Sequence, residues 1–531
     1  MIYFISAWYD QDKWRERENA WYFRKEEEFD DTIKQVQFFS RNRLFPYRII
    51  LLSYAPNFRH FLHRQSIFRA DYWSVFDQIQ CIKTKTQRNL SIYQLPWPDD
   101  VEFIESVFAV IVRRNGEKYA IIDFAEDGNL LFIRYFENES IIKKEYYDDR
   151  GFLSMIENYE NGKCVNEEYL DQNSICKFTR FLEDGHVEIN PENNMYLGIN
   201  KPKEFMHLSY PSIDKLIEEV LKKYIKRTED NDIFCVAMHT LHMDLLAKLL
   251  RRKKTILSFF EHRRGLEKNG VTASFLGEAN YIVTDTKENE RAIQEIMDCK
   301  YKNITNITPY DSRVDHGNSL EYQFQNILVM GDGLVDEVME ETLNELDLYA
   351  KLNHKSRVQI MTRTTDYQQI NHLEKMIQAH NANLMTYVNG NISKKDVSVV
   401  DDNDLTYIKE LEETPYFSVV QCKDAMDVNR KIKGARIWID LQPVPDQFLQ
   451  ISALSLGIPQ ITLVETQYVK NDRNGRIILQ ICELNDWLAY YIENLANWNN
   501  ARIESYEMGS EFSSAEIKKQ WIQVIEKVLE D

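Results

Sequence analysis

Residues 435–464 read ARIWIDLQPVPDQFLQISALSLGIPQITLV. Ile437, Trp438 and Ile439 make a short apolar run that stops at an acid, Asp440, and Pro443 and Pro445 mark a turn. The helical segment that follows carries no carboxylate after Asp446, and Gly457-Ile458-Pro459 leads into another apolar run. Strand, turn, helix and strand in succession are the repeat of a parallel α/β sheet.

The same rhythm extends upstream. NILVMGDG, RVQIMTR and YFSVVQC read as earlier strands of this series, with helical segments between most of them, and AEIKKQWIQVIEKVLED closes the chain as a helix. A separate series opens the chain. MIYFISAWY is its first strand, EFDDTIKQVQFFSRN places Phe29, Ile33, Val36 and Phe39 at helical spacing, and YRIILLSY is a second strand. That series resumes with YPSIDKLIEEVLKKYIKR, a helix with Ser212 as candidate N-cap, and continues through DIFCVAM, HMDLLAKLLRRK, TILSFF and ANYIVTDT. The segment NITNITPYDSRVDHGNS reads as a hinge between the two series.

Between the two parts of the first series the period changes. From Asn115 to Gly185 turn signals such as Asn115-Gly116, Asp127-Gly128 and Asn161-Gly162 recur, separated by alternating segments such as KYAIIDFAE and LLFIRYFE. Asn-Gly and Asp-Gly supply the positive φ of two-residue hairpin turns, so an antiparallel meander of six or seven strands is expected. The expected architecture is α/β and GT-B-like: two Rossmann-like domains with an inserted antiparallel β-meander domain. The divisions are 1–100 and 206–320 for the first Rossmann-like domain, 101–205 for the meander, 321–500 for the second and 501–531 for a helix crossing back.

Composition narrows the function. With 65 Lys+Arg against 84 Asp+Glu the net charge is −19, which argues against nucleic-acid binding, since phosphate backbones are held mainly by positive charge. Seven cysteines without C-x-x-C or metal-ligand spacing fit a reducing compartment. MIYFISAWYD has no basic stretch before its apolar run, and no run of 18 apolar residues occurs, so a cytoplasmic protein is expected.

FISAWY, FDDTIKQVQFF, LLSYAPNFRHFLHRQ with YWSVFDQIQ, and WIDLQPVPDQFLQISALSLGIPQI together resemble the family of the first accessory Sec system protein, over essentially the whole chain. The resemblance implies a GT-B-shaped, non-enzymatic component of the export machinery for serine-rich-repeat adhesins. Its implied partners are the second and third accessory Sec proteins, the accessory Sec ATPase and the glycosylated adhesin, with no cofactor. The alternative is an active or vestigial retaining glycosyltransferase acting on the same adhesin.

The residues can be set against the enzymatic pattern. Retaining GT-B enzymes commonly carry two glutamates around the donor helix; placing Gly457-Ile458-Pro459 on that pattern puts Val444 and Ser452 at those positions. Such enzymes also hold the donor diphosphate with cations after the first strand of the second half, where VMGDGLVDE offers Asp332 and Glu337. A carboxylate about 5 Å from a phosphate costs roughly 3 kcal/mol at an effective dielectric near 20. No glycine precedes Gly116, so backbone after the first strand has no glycine to let it approach a ligand. Gly331, Asp332, Asp440, Ser452 and Gly457 are thus expected to frame a vestigial donor pocket.

The remaining constellations are weaker. His60 with His63, and His239 with His242, have the i, i+3 spacing of zinc ligands but no evident third ligand, and structural roles are expected. Arg59 and Arg64 beside Phe58 and Phe61 are a candidate partner surface. One segment opposes the acidic whole: Lys248, Arg251, Arg252, Lys253, Lys254, Arg263 and Arg264 stand against the single acid Glu261. Clustered cations beside apolar residues suit an anionic membrane surface, each worth about 1 kcal/mol there. These seven are the candidate anionic-lipid contact at the inner face of the membrane.

Overall fold

Seven parallel strands of branched and aromatic residues form the first sheet of the computed structural model, which describes residues 1–10, 13–16, 30–191, 205–260, 270–297, 303–392, 414–422 and 425–530. Side by side they are Ile304–Asn306, Tyr281–Thr284, Lys254–Phe259, Ile233–Ala237, Ile2–Ile5, Tyr47–Leu51 and Tyr72–Ser74. Strand order reverses beside the first strand, as in Rossmann-like sheets. Every residue of Ile2–Ile5 is buried, as expected of a central strand covered on both faces. Helix Asp31–Asn42 packs Ile33, Val36 and Phe39 into this core and is capped by Asp30, whose carboxylate accepts from the Thr32 and Ile33 N–H groups. Phe29 lies outside the described residues. Ser212 does precede the helix Ile213–Ile225 with extended backbone, but its hydroxyl makes no capping bond.

Between Tyr72–Ser74 and Ile233–Ala237 the chain builds a ten-stranded antiparallel sheet in which each strand pairs with its sequence neighbours. Six strands, from Glu117–Phe124 to Cys176–Phe181, lie between the expected turns. Val101–Glu105 and Val110–Arg114 precede them, and Val187–Ile189 and Ser209–Tyr210 follow, so the expected six or seven strands fall short. The first hairpin escaped because its turn needs no positive φ: Val107 and Phe108 form its tip while the Ser106 N–H donates to the Ala109 carbonyl at 3.0 Å. The Asn-Gly turns carry the expected backbone, with φ of 53° at Asn115, 81° at Gly116, 51° at Asn161 and 77° at Gly162, whereas at Asp127-Gly128 only the glycine is positive, at 81°.

The second parallel sheet has six strands, in the order Phe417–Gln421, Ser356–Thr362, Gln325–Met330, Ile437–Asp440, Gln460–Thr462 and Gly475–Ile477. Counted along the chain this is 3-2-1-4-5-6, the dinucleotide-fold order. Ile327, Val329, Ile437 and Ile439 pack on one face with Leu343 and Leu346 of the helix Asp336–Leu352. Leu328, Met330 and Trp438 pack on the other with Leu449 and Ala453 of Gln447–Leu456 and with Trp498.

Asp30–Ile307, the first strand and Ile522–Asp531 belong to one compact unit; Thr308–Trp521 belongs to a second. The supposed hinge is structured on both sides of that division. Ile304–Asn306 is the edge strand of the first sheet. Beyond it, Thr308 Oγ1 lies 2.5 Å from the Tyr468 hydroxyl, and the Asp315 and Gly317 N–H groups donate to the Ser455 and Leu456 carbonyls at 3.1 and 3.2 Å. Residues 308–320 therefore pack with the second unit, where sequence reading had put them in the first. Helix Ser514–Glu530 contributes to both units, and its Lys527 ammonium lies 5.5 Å from the Tyr281 ring centroid.

Candidate functional site

In a doubly wound sheet a ligand sits outside the carboxyl ends of the strands, where strand order reverses. In the second unit that point lies between Gln325–Met330 and Ile437–Asp440. Gly331 and Asp332 leave the first of these strands and Asp440 ends the second, so the structure places three of the five pocket-frame residues at the switch point.

Their polar atoms engage one another. Asp332 accepts from the Thr362 hydroxyl, and from the Arg363 N–H at 2.6 Å. The Arg363 guanidinium donates to Asp446 at 2.6 Å, the Asp446 N–H donates to Asp440 at 3.0 Å, and the Gln442 N–H donates to the other Asp440 oxygen at 3.1 Å. Asp446 also caps its helix, accepting from the Leu449 N–H at 3.1 Å. Asp440 is fully buried. Burial pushes its carboxyl up to about 7, against the pull of the two backbone N–H groups, and neighbouring Asp446 adds to the rise.

The glycines here serve the protein's own packing. A Cβ on Gly331 would lie 2.7 Å from Ile360 Cγ2, and the Gly331 N–H donates to the Met361 carbonyl at 2.7 Å. Gly333, at φ 70°, makes the tight turn into Asp336–Leu352, and a Cβ there would meet the Gln442 side chain at 2.7 Å. Asp336 and Glu337 fill the first turn of that helix, so two carboxylates face the macrodipole where a phosphate would be stabilised.

Ser452 and Gly457 lie further along. The Ser452 hydroxyl donates to the Phe448 carbonyl one turn back at 2.6 Å, and Val444 is 45% exposed on the loop before the helix. Gly457 ends the helix at φ 68°, under Arg502 and Tyr506, which a Cβ would meet at 2.7 and 2.8 Å. Sequence reading missed Arg363, although the Thr362-Arg363-Thr364 run leaves a strand at its ligand-facing end.

The basic segment is divided. Lys253 donates to the Thr228 and Glu229 carbonyls, and Lys254 to the Val528 and Leu529 carbonyls at 3.0 and 2.9 Å. Both ammonium groups are held internally because they meet helix-end or loop carbonyls in need of donors. Lys248, Arg251 and Arg252 are exposed, Arg251 lying 3.4 Å from Glu278; Arg263 and Arg264 lie outside the described residues.

His239 and His242 serve the fold. His242 is buried, donates from Nε2 to the Ala237 carbonyl and accepts from the Tyr9 hydroxyl at Nδ1, both at 2.8 Å. His239 caps its helix by accepting from the Leu241 N–H, His60 faces Glu126 and Asp127, and His63 stacks on Phe68. No metal-binding cluster occurs among the described residues. Phe58 and Phe61 are buried against Trp8, so they are core and not the partner surface that sequence reading offered.

Residues 1–528 match the family model described as accessory Sec system protein 1. The accessory Sec system protein 1 of Streptococcus gordonii is 30% identical, with all of both chains covered. In the crystal structure of accessory secretory proteins 1, 2 and 3 of Streptococcus pneumoniae, one chain is 28% identical, with a TM-score of 0.79 and 99% of both chains covered. The pneumococcal O-GlcNAc transferase GtfA, solved with UDP and GlcNAc, is 12% identical with a TM-score of 0.70, covering 100% of this chain and 99% of that one, and shares the GT-B fold alone. The chain belongs to the accessory Sec system protein 1 family.

Proposed function

We propose that the chain is a non-enzymatic component of the accessory Sec export system. It assembles with the second and third accessory Sec proteins and helps deliver the glycosylated serine-rich-repeat adhesin to the accessory Sec ATPase. The observation that carries this reading is the self-satisfied network of Asp332, Arg363, Asp446 and Asp440 at the switch point of the second sheet. Arg363, the cation at the strand ends here, is paired with the Asp446 carboxylate, its N–H is taken by Asp332, and Asp336 and Glu337 occupy the first turn of the helix after the first strand of this sheet. Each such carboxylate opposes a phosphate by roughly 3 kcal/mol at about 5 Å.

Assembly is supported by the solved complex of accessory secretory proteins 1, 2 and 3, one chain of which resembles this one over its length. No helix among the described residues is long and apolar enough to cross a membrane. The protein acts in the cytoplasm and meets the inner membrane face peripherally, through Lys248, Arg251 and Arg252.

Two measurements test the reading. The chain co-expressed with tagged second and third accessory Sec proteins is expected to co-purify with both; failure to do so overturns the assembly. Calorimetric titration of UDP-GlcNAc, with a donor-hydrolysis assay, is expected to give no saturable heat and no turnover. Micromolar binding that disappears in Asp440→Asn, or measurable hydrolysis, replaces this reading with the glycosyltransferase one.

A further inference from the structure

A recess of about 250 Å³ opens on the first unit, away from the site above. The helix Phe58–Arg64 builds one wall: with Phe58 and Phe61 anchored in the core, Arg59, Leu62 and His63 fall at i, i+3 and i+4 on the face lining the recess. Ser66, at φ 57°, turns the chain so that Phe68 comes back over His63, with ring centroids 5.2 Å apart and 22° between planes. Arg69 lies 5.3 Å from the Phe68 ring centroid. Lys85 closes the far side, its carbonyl accepting from Arg59 at 3.3 Å.

The charge here opposes that of the chain. Asp71 is the one carboxylate in the lining, and Arg48 already binds it at 2.6 Å. Arg59, Arg69 and Lys85 make no salt bridge among the described residues, although Arg59 feels the Asp149 carboxylate, so the recess carries net positive charge in a protein of net charge −19. The nearby carboxyl of Asp149, which feels Arg59, is pushed up to about 7 by burial and takes the His60 N–H.

A single carboxylate would answer one of these charges. A phosphomonoester carries about −1.5 to −2 near neutral pH and three acceptor oxygens, which suits two planar guanidinium forks and an ammonium. The stacked Phe68 and His63 rings, with the apolar floor of Leu62 and Ala70, offer a face to a small ring. The volume lies below the roughly 300–1,000 Å³ of drug-sized sites, which favours a small ligand.

We propose that this recess binds a phosphomonoester carried on a ring of about hexose size. The test is titration of the full-length chain with glucose 6-phosphate and with inorganic phosphate at about 50 mM salt, where screening is weak. Both are expected to saturate, glucose 6-phosphate more tightly. Arg59→Gln/Arg69→Gln is expected to weaken both about tenfold or more while moving the unliganded unfolding midpoint little, because neither guanidinium makes a salt bridge among the described residues. If that variant does not fold, Lys85→Gln takes its place, with about threefold weakening expected. No saturation by about 10 mM, or unchanged affinity in the variants, overturns the proposal. Flotation with phosphatidylglycerol vesicles separates a lipid source. Equal flotation of wild type and double variant is expected; loss of flotation in the variant without glucose 6-phosphate binding assigns the recess to lipid phosphate and also overturns the proposal.

Discussion

Arg363 and Asp446, 83 positions apart in sequence, meet at 2.6 Å through Nη1 and Oδ2 and join the end of one strand to the first turn of the helix Gln447–Leu456. Both side chains are at most one-fifth exposed. Asp446→Ala removes the N-cap as well as the ion pair and leaves the guanidinium unmatched, so a loss of about 2–3 kcal/mol is expected. Arg363→Ala leaves the cap in place and should cost less, about 1–2 kcal/mol. Urea unfolding of the two variants measures the difference; equal losses would show that the cap contributes nothing.

Asp440 gives the second unit a pH dependence. Its folded value of about 7 stands above the roughly 3.9 of an unfolded aspartate, so the native state holds the proton more tightly. The resulting stability is fully present below about pH 4 and is lost as pH rises through about 7. Asp440→Asn keeps the acceptor for Gln442 and removes the ionisation, so its stability should fall less between pH 5 and pH 8 than that of the wild type. Asp148 and Asp149 also have raised values, but they contribute equally to both proteins and cancel in the comparison. Parallel stability curves would mean that Asp440 is not the group that titrates.

The parallel strands and the inner turns of the meander were legible because their signals are local. An apolar run such as Ile2–Ile5 needs both faces covered, and Asn161-Gly162 supplies positive φ by its own chemistry. The hairpin at Val107 and Phe108 has neither signal. At the candidate site, the spacing from Gly457 located Ser452, but it could not show where the hydroxyl goes. Arg363 was invisible for a physical reason: its partner comes from a different strand-helix unit, and no periodicity encodes a pairing across 83 residues. The same holds for Lys254, which read as part of a cationic run and is a cap for a helix end more than 270 residues away.

That cap separates stability from surface charge within the basic segment. Lys254 supplies two charge-assisted bonds to the last carbonyls of Ser514–Glu530, where a cation also complements the helix dipole. Lys254→Met should cost about 1.5–3 kcal/mol, whereas Arg251→Glu/Arg252→Glu should stay within about 0.5 kcal/mol. Flotation with anionic vesicles should invert the order, falling in the double variant and holding in Lys254→Met. A double variant that floats like wild type removes Arg251 and Arg252 from the membrane contact.

Arg150 ties the antiparallel sheet to the parallel one inside the first unit. Its guanidinium donates to both oxygens of Asp77 at 2.8 Å and to both of Asp148 at 2.6 Å, joining the helix Val75–Ile79 to the hairpin between Ser140–Asp148 and Phe152–Glu160. The backbone closes on the same point: the Arg88 N–H donates to the Arg150 carbonyl at 3.0 Å, and a Cβ on Gly151 would lie 2.0 Å from the Arg88 oxygen. Arg150→Met strands the fully buried Asp148 beside Asp77, and breaking a buried pair from one side costs about 3–5 kcal/mol. Burial already raises Asp148 above the usual carboxylate range, and loss of the cation raises it further. A raised folded value means stability regained as the pH falls, so the deficit of Arg150→Met should be smaller at pH 5 than at pH 8. Arg150→Lys, with one ammonium for two carboxylates, should fall between. Urea unfolding of the three proteins at both pH values decides the matter. A deficit that does not change with pH would place the cost in lost packing against Phe152, whose ring centroid is 5.5 Å from the guanidinium, and not in the stranded carboxylates.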